Sequence, residues 1–252
     1  MRPFRFFRTP ALVALAGSLL AAGAWLPLRA APPSPQQLQA LEAAFNGEGD
    51  LLGLLETGPG LDPSLVERQW RLLRTRFPDA RWQLSSGPRL QDGSPTVLVR
   101  VRGTREVGPL RFRLEAEQQL VLASDGRRIT GQTVLRDQSV LRSGEADLPV
   151  TLLIPDAVLT GQRYDLDVLV DTPLDGAIVA GGVVALSPQQ ATALDSPSLQ
   201  LGALGGGGLF RIVQAPFSPG SQTWAVLLVH PDGLVSVSKR VRVVADKAQL
   251  KL

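Results

Sequence analysis

Thr96-Val97-Leu98-Val99-Arg100-Val101-Arg102, then Leu110-Arg111-Phe112-Arg113-Leu114-Glu115-Ala116-Glu117, then Ile129 to Arg142, form the stretch whose reading decides the fold. Apolar and polar residues alternate along its first two segments, the two-residue period of a half-buried strand. Breaks fall at Glu106-Val107-Gly108 and at Ser124-Asp125-Gly126, and Asp-Gly is a strong hairpin signal because both central residues tolerate positive φ. The stretch therefore predicts an antiparallel meander. A first turn centred on Glu106-Val107 would set Arg100 opposite Arg113 and Arg102 opposite Arg111. A second turn at Asp125-Gly126 would set Glu115 opposite Arg136. The other face would carry Leu110, Phe112, Leu114 and Leu120.

Upstream the period changes to that of helices. Ser34 can cap a helix whose first residue is Pro35, where the missing N–H costs nothing. Leu38, Leu41 and Phe45 share one face of it, and Asn46-Gly47 ends it. Asp62-Pro63 starts a second helix in which Val66, Trp70, Leu73 and Phe77 recur at steps of four, three and four. Phe77-Pro78 closes it, and Trp82 to Ser85 predicts a short strand. The apolar stripe of the second helix needs a partner, and the apolar face of the meander supplies one. Helices followed by four antiparallel strands make an α+β layer pair. In this element order, residues 32–143 resemble the nuclear transport factor 2-like family, in which a curved sheet cups its helices. The resemblance implies a pocket between helix and sheet in many members, some of them enzymes and many only binders or dimerisers.

Ser143-Gly144-Glu145-Ala146-Asp147 reads as a boundary. Beyond it seven short apolar runs alternate with turn material: Leu148–Ile154, Arg163–Val170, Ala177–Leu186, Ser198–Ala203, Leu209–Gln214, Thr223–Val229 and Leu234–Val244. Seven strands in about 100 residues is the pattern of an antiparallel β-sandwich. With Gly161 and Tyr164 leading into an alternating strand, residues 148–246 resemble an immunoglobulin-like or fibronectin type III module. The expected fold class is thus α+β followed by all-β: helices on a curved four-stranded sheet, then a seven-stranded sandwich, then a basic tail at 247–252.

The first 31 residues stand apart. Arg2, Arg5 and Arg8 precede Ala11 to Leu28, which holds no charge, and Leu28-Arg29-Ala30-Ala31 offers small residues for cleavage. This pattern resembles a secretory signal peptide, and the expectation is an exported protein, periplasmic or extracellular. The apolar run is also just long enough for an uncleaved anchor. The formal charge of +3 comes from this leader, whose four arginines face no acid. Without them 22 Lys and Arg stand against 23 Asp and Glu, so bulk attraction to nucleic acid has no support. The chain has no cysteine, which excludes disulfides, thiol chemistry and a lipid-modified N-terminal cysteine.

No reaction set stands out. His230, the only histidine, lies in His230-Pro231-Asp232-Gly233, a turn signature between two apolar strands. It has no second histidine for a metal pair and no Gly-x-Ser-x-Gly elbow to serve. Asp165, Asp167 and Asp171, with Asp175 beyond, read as the wet face of a strand and lack calcium-loop spacing. Gly205-Gly206-Gly207-Gly208 is followed by no Gly-Lys-Ser/Thr and reads as a flexible connection. Lys239, Arg240, Arg242, Lys247 and Lys251 read as a solubilising basic edge.

Two constellations are worth testing. Arg100, Arg102, Arg111 and Arg113 would repel one another across two strands unless Glu115, Glu117, solvent or an anionic partner offset them. Gln118, Thr133 and Asp137 fall by alternation on the otherwise apolar face, where a buried carboxylate needs a partner or a raised pKa. The leading expectation is an exported, non-enzymatic binding or assembly protein for a protein or membrane-surface partner, with no cofactor, no metal and no nucleic acid. The rival is a pocketed nuclear transport factor 2-like binder of a small apolar ligand, or an enzyme, using Gln118, Thr133 and Asp137.

Overall fold

The computed structural model describes residues 31–144, 148–171, 179–194, 197–204, 207–231 and 233–251. The leader to residue 30, Glu145 to Asp147, Asp175, Gly205 and Gly206, Asp232 and Leu252 lie outside the described residues.

Helix α1 spans Pro35–Phe45 and helix α2 spans Pro63–Arg76. Ser34 and Gln37 form a capping box at the first, and the Asp62 carboxylate accepts from the N–H groups of Ser64 and Leu65 at the second. Both helices pack on one face of strands β1 (Arg81–Ser86), β2 (Val97–Val107), β3 (Leu110–Ser124) and β4 (Ile129–Gly144). Leu73 and Phe77 from the α2 end meet Val101, Phe112 and Leu114 in this first core, all at most 1% exposed. Asn46 fastens the end of α1 to β1: its amide donates to the Trp82 carbonyl and its oxygen accepts the Trp82 N–H.

The chain continues through β5 (Val150–Leu153), β6 (Ala157–Leu159), β7 (Arg163–Val170) and β8 (Val179–Leu186) to a six-residue helix α3 (Pro188–Ala193). It ends with β9 (Gly202–Leu204), β10 (Gly208–Gln214), β11 (Gly220–His230), β12 (Gly233–Val244) and a 3-10 turn at Lys247–Lys251. The molecule is mostly β, with few helices and one large antiparallel sheet.

That sheet corrects the expected four-stranded sheet followed by a separate seven-stranded sandwich. Its order is β1-β2-β3-β4-β12-β11-β8-β9, with β6 pairing β12 in parallel as a ninth strand. β4 and β12 pair from Gly144↔Gly233 to Asp137↔Arg240, so the hydrogen-bond ladder crosses the expected boundary without a break. Among the described residues the second sheet has three strands, β10-β7-β5. It packs on the reverse face of the large sheet, where Leu166, Val168 and Leu209 meet Val226, Val235, Val237 and Val241 in a second core. The sandwich therefore borrows its second layer from the long sheet. Tyr164 ties the layers together, receiving the Trp224 indole N–H and donating to Gln222, both at 2.8 Å. The sheet thus has helices along one face, and its opposite face is covered by the small sheet only toward the C-terminal half.

The β2–β3 register also differs from expectation. The loop is Gly108-Pro109, with Val107 opposite Leu110. Gly108 has φ +59° at the first central position, which glycine accepts without strain, and the Pro109 ring supplies the negative φ that follows. Arg100 then stands opposite Glu117 and Arg102 opposite Glu115, not opposite Arg113 and Arg111. Leu110, at the hairpin tip, is 45% exposed rather than part of the core. In β3–β4 a register shift at Gln119/Leu120 leaves Leu135 without an opposite residue, and Glu115 faces Val140 rather than Arg136.

Candidate functional site

The outer face of β1–β4, the face away from the helices, is built from the alternate residues of four strands. It carries Arg81, Arg100, Arg102, Arg111, Arg113, Arg136 and Arg142, with Glu106, Glu115 and Glu117 between them. The residues organise into two ladders. Arg100 Nε lies 3.0 Å from Glu117, whose other oxygen is 3.7 Å from Arg136. Arg136 Nε reaches Asp156 at 3.1 Å, and Asp156 also takes Lys239. In the second ladder Glu115 is shared by Arg142 at 3.0 Å and Arg102 at 3.8 Å. Glu115, Glu117 and Asp156 each serve two cations, and the seven arginines outnumber the three glutamates of the face. The Arg102 side chain is 75% exposed, and pairs this wet contribute little to stability. Arg111 stands opposite Glu106 and lowers the pKa of Asp79, an effect smaller than the hydrogen bonds Asp79 accepts from Thr104. The four arginines singled out in the sequence thus share one face, but interleaved with acids rather than confronting one another.

The inner face holds a buried polar row. Gln118, Asp137, Arg240 and Thr223 are successive partners across β3, β4, β12 and β11. Asp137 is 5% exposed, and its Oδ2 has no hydrogen-bond partner. Burial pushes its pKa up to about 6, against the pull of Arg240 and a hydrogen bond with Gln118. Arg240 is desolvated in turn, which lowers its pKa, and its Nε and Nη1 are unpartnered. Thr133, by contrast, is exposed opposite Val121: the extra residue at Leu135 reverses the alternation, so Thr133 and Asp137 point to opposite faces. Gln118 and Asp137 come together; Thr133 does not join them. The row's main partner, Arg240, does not lie on the expected basic edge. β12 is instead a central strand in which Lys239 and Arg242 are buried.

Beside this row a cavity of about 80 Å³ lies between the helices and the sheet, lined by Trp70, Trp82, Gln69, Gln118, Leu120 and Val134 among others. That is room for two or three waters and well short of a pocket for a drug-sized ligand. The wall from Leu55 to Leu61 closes it by close backbone approach. A Cβ on Gly58 would stand 1.8 Å from the Thr130 carbonyl oxygen.

The remaining residues sit as follows. His230 ends β11 opposite Gly233. Asp165 and Asp167 point outward from β7, and Asp171 accepts from the Thr151 hydroxyl at 3.0 Å. Among the described residues no group of His, Cys, Asp and Glu could hold a metal ion, and no helix is long and apolar enough to cross a membrane.

These features define a mostly-β protein with a helix-covered sheet and an attached sandwich. The model of a domain of unknown function, DUF8623, matches residues 145–244, from the end of β4 to the end of β12. No curated protein matches the chain.

Proposed function

We propose that this is an exported, non-enzymatic binding protein that docks an acidic partner surface on the outer face of β2–β4. The observation that carries the reading is the uncovered sheet face on which Glu115 and Glu117 are each already shared between two arginines, leaving the 75% exposed Arg102 side chain with capacity for an external anion. α1 and α2 against β1–β4 support a nuclear transport factor 2-like reading of the first half. The layered strands and the Tyr164–Trp224 link support an immunoglobulin-like reading of the second. The leader supports export, and an uncleaved leader would hold the basic face near an anionic membrane surface. Arg102→Glu and Arg111→Glu test the proposal by sedimentation with vesicles containing phosphatidylglycerol: loss of binding supports it, and unchanged binding removes the face from consideration.

A second reading is a small-ligand binder using Gln118 and Asp137. The raised pKa of Asp137 and the Gln118 edge of the cavity favour it. The small volume and the packing of Phe77, Phe112 and Leu114 weigh against it.

A further inference from the structure

The sheets end in edge strands, and most of these edges are protected. On β1 the outward Trp82 and Leu84 backbone groups are taken by Asn46 and Glu42 of the α1 end. β9 has three residues, and β5 has four between Pro149 and Pro155. Short length, prolines and covering side chains are the usual protections of an edge. β10 has none of them. It is seven residues long without proline, and among the described residues it pairs only with β7.

The ladder phase identifies which groups it leaves open. The Val170 N–H donates to the Gly207 carbonyl and the Ala215 N–H to the Gln162 carbonyl, so the odd-numbered residues of β10 bond toward β7. The N–H and C=O of Phe210 and Ile212 therefore face away from the sheet. Their side chains are 57% and 73% exposed, and Phe217 nearby is 83% exposed. Arg211, between them, is exposed on the opposite face of the strand and has no ion-pair partner among the described residues.

Arg211 separates the two occupants such an edge could take. In a two-fold pairing of β10 with a second copy, the register that sets Phe210 against Ile212 also sets Arg211 against itself, and like charges directly opposite are destabilising. Registers that part the arginines keep a self-pair of Phe210 or of Ile212 but turn Ile212 toward Gly208, or Phe210 toward Gln214, and so give up part of the apolar contact. A foreign strand with an acid opposite Arg211 satisfies all three positions.

We infer that β10 is a docking edge for an extended partner segment reading apolar–acidic–apolar, which joins the three-stranded sheet as its fourth strand. Backbone bonds to Phe210 and Ile212 supply the affinity, and the apolar pair with the Arg211 ion pair supplies register and selectivity. This surface is separate from the basic face of β2–β4.

The test is fluorescence anisotropy of the full chain with two labelled nonapeptides, one centred on Val-Glu-Val and one on Val-Lys-Val. The Val-Glu-Val peptide should bind. Ile212→Pro removes an outward N–H and the exposed Ile212 side chain while leaving the bonds to β7 in place, and should weaken binding about tenfold or more. Arg211→Glu should reverse the preference between the peptides, and it decides the matter if the proline variant does not fold. Arg102→Glu should leave peptide binding unchanged, which keeps this result distinct from that of the basic face. The inference is overturned if neither peptide binds, if binding ignores both β10 variants, or if the chain alone forms a dimer that Ile212→Pro dissolves.

Discussion

Asp137 on β4 stands directly opposite Arg240 on β12, a buried pair of opposite charges joining strands about a hundred residues apart in the chain. Neither group is fully hydrogen-bonded, so each depends on the other's charge more than on its own contacts. Removing one partner strands the other. Arg240→Ala should destabilise the chain by about 3–5 kcal/mol, and Arg240→Met with Asp137→Leu should recover most of that loss. Urea titration followed by tryptophan fluorescence measures both.

The same carboxyl makes stability depend on pH in an unusual direction. Its folded pKa is about 6, above the ordinary 3.8, so between those values the folded state holds a proton that the unfolded chain releases. That stabilisation is complete at the acid end and is lost as pH rises through about 6. At roughly 1.4 kcal/mol per unit, the loss is on the order of 3 kcal/mol. Asp137→Asn should abolish this part of the profile, gaining relative to the parent chain between about pH 4 and pH 7. A parallel pair of profiles would show that Asp137 does not carry it.

The helix-side core should respond to truncation in the usual way. Phe77 is fully buried, with the Arg105 guanidinium 5.2 Å from its ring, and it packs against Leu73, Phe112 and Leu114 in the first core. Phe77→Ala should cost about 3–5 kcal/mol by denaturant midpoint.

Gly58→Ala adds one methyl group, yet it should cost more than a surface substitution, because that carbon collides with the Thr130 carbonyl. Calorimetry should show a lowered Tm with Gly58→Ala and almost no change with Gly202→Ala, where the added atom meets nothing and the backbone is not left-handed.

Local signals carried the start of the chain well. Ser34-Pro35 and Asp62-Pro63 mark both long helices, since an N-cap followed by proline leaves its signature in adjacent residues. Ser187-Pro188 is the same signature, but only six helical residues follow, and the segment reads as a turn. Errors entered where one residue of displacement reverses a strand. Placing the hairpin at Glu106-Val107 instead of Gly108-Pro109 paired arginine with arginine, and the unmarked extra residue at Leu135 turned Thr133 outward. The joining of β4 to β12 left no local trace. Both strands alternate as any half-buried strand does, and nothing in either names a partner that distant. Arg240 was therefore legible as a charge but not as the neighbour of Asp137.

That joining is the claim on which the placement of the basic face, the polar row and the sandwich depends. The absence of cysteine allows a direct test, because Ser139 and Ser238 are opposite one another on β4 and β12. With Ser139→Cys and Ser238→Cys in one chain, mild oxidation should consume both thiols in an intramolecular disulfide, as the spacing of paired strands permits. Thiols that stay free in the folded monomer, or that link only between molecules, would contradict a single sheet running through both halves.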